Sequence, residues 1–143
     1  MKDLEKAQSV LEEENCTCVL CRQEVIYTSQ RRGVAPLLQL LDDGADVAGA
    51  AAADRVVGKA TAFLYSLLGV QAVYARVMSV PASQVLERFG IRASWGTLVD
   101  GIQNRQKNGP CPMEYATRNC TTPEEALQAV RKTLETLRQK ENS

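Results

Sequence analysis

Between residues 47 and 95, short apolar runs of strand length alternate with longer stretches of helical period, and a glycine ends each helical stretch. This alternation restricts the fold strongly, because every strand must join a sheet and every helix must bury its apolar stripe against one. The run 47–53, Val-Ala-Gly-Ala-Ala-Ala-Ala, is bounded and apolar; alanine favours helix, but the length suits a buried strand, and a strand is predicted. Asp54 then reads as a helix N-cap, with Val56, Val57, Ala60, Phe63, Leu64, Leu67 and Leu68 at helical spacing up to Gly69. Residues 70–77 predict a second strand. Pro81 opens a helix carrying Ala82, Val85, Leu86 and Phe89, Gly90 closes it, and residues 91–95 predict a further short strand.

The flanks extend the pattern. Residues 2–14 form an amphipathic helix through Leu4, Ala7, Val10 and Leu11, and the runs 16–21 and 24–28, parted by polar Arg22 and Gln23, read as a β-hairpin. After Gly33 a helix is expected over 34–42, with Pro36 tolerated in its first turn. Residues 96–110 have loop character and end in the breaker Asn108-Gly109-Pro110, and Pro112 starts a short helix through Arg118. Thr122-Pro-Glu-Glu125 is a capping box ahead of Leu127, Val130, Leu134 and Leu137. The order αββαβαβα, then another strand and more helix, is that of an α/β three-layer α/β/α sandwich, read as a single domain over residues 1–143.

Composition narrows function mostly by exclusion. Seventeen basic residues balance seventeen acidic ones without a dense basic run, so neither nucleic acid nor an anionic membrane is expected as a partner. The charged start lacks a signal-peptide core, and no stretch has the roughly 20 apolar residues of a membrane span, so a cytoplasmic location is expected. Five cysteines are an odd set and are expected as thiols there. The absence of any histidine removes imidazole as a base or a metal ligand.

The runs Arg32-Gly-Val-Ala-Pro-Leu-Leu38, Ala53-Asp-Arg-Val-Val-Gly-Lys-Ala60, Val73-Tyr-Ala75, Phe89-Gly-Ile91, Asn104-Arg105 and Cys111-Pro-Met-Glu114 resemble the bacterial domain-of-unknown-function family 1893. The resemblance implies a cytidine-deaminase-like fold with a central mixed sheet, and no assigned activity. Deaminases of that fold hold zinc through a His/Cys-x-Glu motif after the first hairpin and a Pro-Cys-x-x-Cys motif after the third strand. By the resemblance those places fall at Arg32-Gly33-Val34 and at 54–59, which supply neither the ligands nor the proton-shuttling glutamate. A zinc-dependent deaminase is therefore excluded, and no metal or cofactor is expected.

Several constellations carry candidate chemistry. Asp54, Arg55 and Lys59 cluster around one predicted helix start, where free N–H groups and the dipole favour an anion. Gly58, placed in the second helical turn, costs about 1 kcal/mol against alanine and points to close approach by a ligand or backbone. Arg32 and Gly33 begin the neighbouring helix, where arginine suits a phosphate or carboxylate. Cys111 reads as an N-cap whose thiol the helix dipole activates, with Glu114 at the capping-box position. Asn104 and Arg105 lie in a loop able to fold over the same pocket. The bland alternatives are a plain cap for Asp54, solvated arginines and lysine, tight packing at Gly58, structural capping at Cys111 and a surface turn at 104–105. Cys16-x-Cys18-x-x-Cys21 looks like a metal motif, but strand alternation puts Cys16 and Cys18 on one side and Cys21 on the other, so buried apolar cysteines are expected. Tyr74 and Trp95 are expected in core or edge packing.

Three readings follow. In the first, a nucleotide-like or other anionic metabolite binds near Gly33 and Asp54, with Asp54 as acid/base group, Arg32, Arg55 and Lys59 as anion contacts, and Cys111 and Glu114 at the edge. In the second, the chain is a noncatalytic interaction or regulatory domain whose terminal helices meet a partner or a second copy as a homodimer. The third is thiol chemistry at Cys111.

Overall fold

The computed structural model describes residues 2–104, 106 and 109–141. Eleven elements follow one another: α1 (Lys2–Glu13), β1 (Cys18–Arg22), β2 (Val25–Ser29), α2 (Ala35–Asp42), β3 (Ala51–Val57), α3 (Lys59–Leu68), β4 (Ala72–Ser79), α4 (Val80–Arg88), β5 (Arg92–Val99), α5 (Pro112–Thr117) and α6 (Pro123–Glu141). The strands form one mixed sheet in the order β2-β1-β3-β4-β5. β1 runs antiparallel to β2 and β3, whereas β3, β4 and β5 are parallel and joined through α3 and α4. Helices cover both sides, so the expected three-layer α/β/α arrangement is the one observed.

The central strand explains the alanine run. Ala50 to Ala53 are at most 1% exposed, because α1 packs on one face of β3 while α2 and α3 close the other, and only small side chains fit between. The helical propensity of alanine gives way to this burial. On one side Ala7 and Leu11 of α1 meet Val19, Cys21 and Ala53. On the other, Ala52, Val73 and Ala75 meet Leu37, Phe63, Leu64 and Leu86, with Ala126 and Val130 of α6 added behind. The fully buried residues of both terminal helices are thus turned inward.

Alternation starts at Cys18, the first residue of β1. Cys18 and Leu20 point to the α3 side, and Val19 and Cys21 to the α1 side. Cys16 lies before the strand and packs with Cys21 on the α1 side, not with Cys18 as expected from an earlier strand start. All five cysteines are free thiols, and among the described residues no group of three or more His, Cys, Asp or Glu side chains is placed to hold a metal ion. No helix among the described residues is long and apolar enough to cross a membrane.

Two further boundaries differ from expectation. β3 runs on through Asp54, Arg55, Val56 and Val57, and the helix begins only after Gly58. Arg-Val-Val is strand-favouring sequence, and pairing with β4 at Asp54↔Ala75 and Val57↔Met78 stabilises it. β5 likewise extends to Val99, into the segment read as loop. Elsewhere the end signals hold: Gly69 closes α3 in the left-handed conformation at φ 74°, and Glu125 and Thr122 exchange side-chain-to-backbone hydrogen bonds in the expected capping box.

α1 carries no basic residue in its last turn, and the sheet supplies the missing cations. Arg76 donates to the Leu11 carbonyl at 3.2 Å and Arg55 to the Asn15 side chain at 3.0 Å, close to the negative end of the helix. Leu11, fully buried between α1 and the sheet, anchors this layer. Leu11→Ala is expected to lower stability by about 3 kcal/mol, read as a lower midpoint in urea unfolding. A loss well under 1 kcal/mol would mean that α1 is not part of the cooperative fold.

Candidate functional site

Outside the carboxyl end of β3 lies a cavity of ≈ 350 Å³, the position where parallel α/β sheets hold ligands. β3 contributes Asp54, Arg55 and Val56, Gly58 caps α3 and Thr61 lies in its first turn, and Arg32, Gly33 and Val34 come from the approach to α2. Thr17 and Cys18 form part of the floor. The segment after β5 closes the remaining side with Ile102, Gln103, Cys111, Met113 and Glu114.

Asp54 is 9% exposed and points from the strand toward α3. Its Oδ2 accepts a hydrogen bond from the Tyr65 hydroxyl at 2.7 Å, and Tyr65 Oη lies 3.3 Å from Cys18 Sγ. The Val56 N–H donates to Oδ1 at 3.4 Å. Burial pushes the Asp54 carboxyl from 3.8 up to about 7, against the opposing pull of the Tyr65 and backbone hydrogen bonds. The same burial, reinforced by the Asp54 charge, raises the Cys18 thiol and the Tyr65 phenol well above their ordinary values. At neutral pH this leaves a neutral thiol and phenol around one carboxyl poised between its two protonation states.

Glu114 supplies the second carboxylate of the cavity wall. It reaches from α5 to the start of α3 and accepts from the backbone N–H groups of Lys59 at 2.8 Å and Ala60 at 3.2 Å. Two of the free donors of that helix end are therefore taken by the chain's own anion. Burial raises the Glu114 carboxyl, outweighing those two donors and the Lys59 charge. Gly58 is the condition for this contact, since a Cβ there would lie 2.2 Å from Glu114 Oε1.

The expected site residues divide accordingly. Arg32, Gly33, Asp54, Arg55, Gly58, Cys111 and Glu114 do line one cavity. Asp54, however, is not an N-cap: it belongs to β3, and Gly58 occupies the cap position of α3. The later helix start also turns Lys59 away. Its Nζ donates to the Arg118 carbonyl at 2.9 Å and lies over the Phe63 ring, beside a separate surface depression. Glu114 does not complete a capping box with Cys111, whose N–H donates to the Ile102 carbonyl while the carboxylate spans to α3. Asn104 is outside the lining, its N–H donating to the Gly109 carbonyl, and its neighbours Ile102 and Gln103 reach the cavity instead. Arg105 lies outside the described residues.

The sequence profile of a family described as a domain of unknown function, DUF1893, matches residues 6–134. The chain belongs to this family. Its fold matches the crystal structure of a DUF1893 family protein from Thermotoga maritima with a TM-score of 0.84 and 22% identity, over 92% of this chain and 89% of that one. A weaker likeness is to an apo dCMP deaminase from the cyanophage S-TIM5, with a TM-score of 0.44 and 13% identity, over 66% of this chain and 94% of that one. No curated protein matches in sequence.

In this DUF1893 chain the residue missed by sequence reasoning is Tyr65, the fully buried partner of Asp54. A tyrosine in a mostly apolar helix was the available signal, because a buried phenol usually finds a hydrogen-bond partner. Thr17, Thr61 and Met113 carried no comparable mark.

Two predictions follow from this geometry. Gly58→Ala and Glu114→Ala should each cost on the order of 2 kcal/mol, one by collision with the carboxylate and the other by leaving the α3 donors unpaired. The double variant should cost clearly less than the sum, because both remove the same contact; strict additivity in a denaturation cycle would refute the coupling. For Asp54, the folded pKa lies above the unfolded one. Its stabilising contribution is complete below pH 3.8 and is lost as pH rises toward about 7. Asp54→Asn should therefore melt above the native chain at pH 8, by an increment of a few kcal/mol that shrinks toward pH 4. A pH-independent difference would show that Asp54 does not titrate in this way.

Proposed function

We propose that the cavity binds a small nucleotide-like metabolite within the cytosol, with Asp54 reading its polar heterocyclic edge and Arg32 meeting its anionic group. The observation that carries this reading is the Asp54 carboxyl itself: buried at the end of the central strand, held by Tyr65 and balanced near neutrality. Such a group accepts from a ligand N–H when ionised and donates to a ring nitrogen or carbonyl when protonated, the two patterns found on heterocyclic bases. The volume of ≈ 350 Å³ falls within the roughly 300–1,000 Å³ typical of small-molecule sites.

The geometry supports a ligand with both donors and a negative group over a bare anion. Glu114 already fills the first donors of α3 and the Arg55 guanidinium donates to Asn15, so the remaining cationic lining is Arg32, exposed at the rim. Cys111 and Glu114 then border the ligand. This revises the expected anion contacts by removing Lys59 and keeps Asp54 as the polar centre.

The test is a thermal-shift and calorimetric comparison of nucleosides, nucleotides and sugar phosphates. Nucleotides are expected to stabilise the chain most, Asp54→Asn to weaken every base-containing ligand at least tenfold, and Arg32→Ala to weaken only the phosphorylated ones. Stabilisation by no ligand of these classes, or equal stabilisation of the native and Asp54→Asn proteins, would overturn the reading.

A further inference from the structure

We propose that the free edge of β5 is the interface of a two-fold symmetric homodimer, in which β5 pairs antiparallel with β5 of a second copy and the sheet continues across the axis. The strand order ends at β5, so no strand among the described residues pairs its outer edge. Exposed edges are ordinarily blunted by lysine, proline, inward-facing charge or short length. β5 is thinly protected: Arg-Ala-Ser-Trp-Gly-Thr-Leu-Val is eight residues long, carries a charge only at its first residue, lacks lysine, proline and acids, and leaves Trp95 and Leu98 each 40% exposed.

Charge arrangement selects a second copy as the occupant. Arg92 begins the strand and Asp100 follows its end, both exposed. In an antiparallel pair centred on Gly96, Arg92 of each copy faces Asp100 of the other, giving two identical cross-strand ion pairs. The same register sets Ser94 opposite Leu98 and Trp95 opposite Thr97, an aromatic with a β-branched partner. Period-two alternation keeps Arg92, Gly96 and Asp100 on one face, so each ion pair forms on a single side of the joined sheet. Gly96 leaves the axis without side chains there, and its own strand also requires glycine, because a Cβ would lie 2.9 Å from the Arg76 carbonyl oxygen. The opposite edge, β2, is shorter at five residues, and pairing it with β5 would be heterologous and would not close.

Sedimentation equilibrium and light scattering of the full chain test the proposal. The native protein is expected at twice the 15.7 kDa chain mass. Arg92→Asp or Asp100→Arg alone should weaken dimerisation at least tenfold, and the two together should restore it by exchanging the charges. Trp95 is the sole tryptophan, so its emission should shift to the red as dilution separates the copies. That measurement needs no variant. A native chain that stays monomeric, a dimer that both single variants leave intact, a double variant that stays dissociated, or an open polymer would each overturn the β5 pairing.

Discussion

The structure depends on β3 being enclosed from both faces. Three alanines at its start, and Ala50 just before it, accept helices within contact distance on either side, and no larger side chain would leave α1 and α3 where they are. The enclosure carries a chemical consequence at the other end of the same strand. Asp54 continues the buried strand, so a carboxylate is drawn into an interior that disfavours its charge. Tyr65 and the Val56 N–H offset part of that cost, and the remainder appears as a pKa near neutrality.

The second carboxyl is also raised by burial but is satisfied differently. Glu114 comes from a short helix distant in sequence and accepts from two N–H groups at the start of α3, forming an internal clamp. Gly58 belongs to this clamp as well as to the cavity lining. The cavity is consequently asymmetric, with Asp54 held by a phenol, Glu114 held by backbone N–H groups and Arg32 exposed at the rim. Its chemistry is set by how each carboxyl is satisfied, more than by the number of charges.

Legibility in the sequence followed the range of the forces involved. Glycine stops, the capping box at Thr122 and apolar periodicity are local, and they yielded nearly every element in its observed order. The stretch 54–59 was misread because its pattern fits two structures. Asp54 is a good helix cap by type, and Val56 and Val57 fit a helical stripe, yet pairing with β4 holds all three in a strand. That one shift of boundary moved Asp54 inward and Lys59 outward. Arg32, Gly33, Asp54, Arg55, Gly58, Cys111 and Glu114 nevertheless line one cavity, at the end of the sheet to which the family resemblance pointed.

By itself, then, the sequence determined the alternation of elements and the thiol and histidine inventory, since these follow from local propensity and residue identity, and its resemblance to a family pointed to the segments that meet at the cavity. The tertiary structure alone decided the partner of each polar group: Tyr65 for Asp54, the α3 backbone for Glu114 and the Arg118 carbonyl for Lys59. Burial and long-range hydrogen bonding depend on what is folded against a residue, and no local pattern records that.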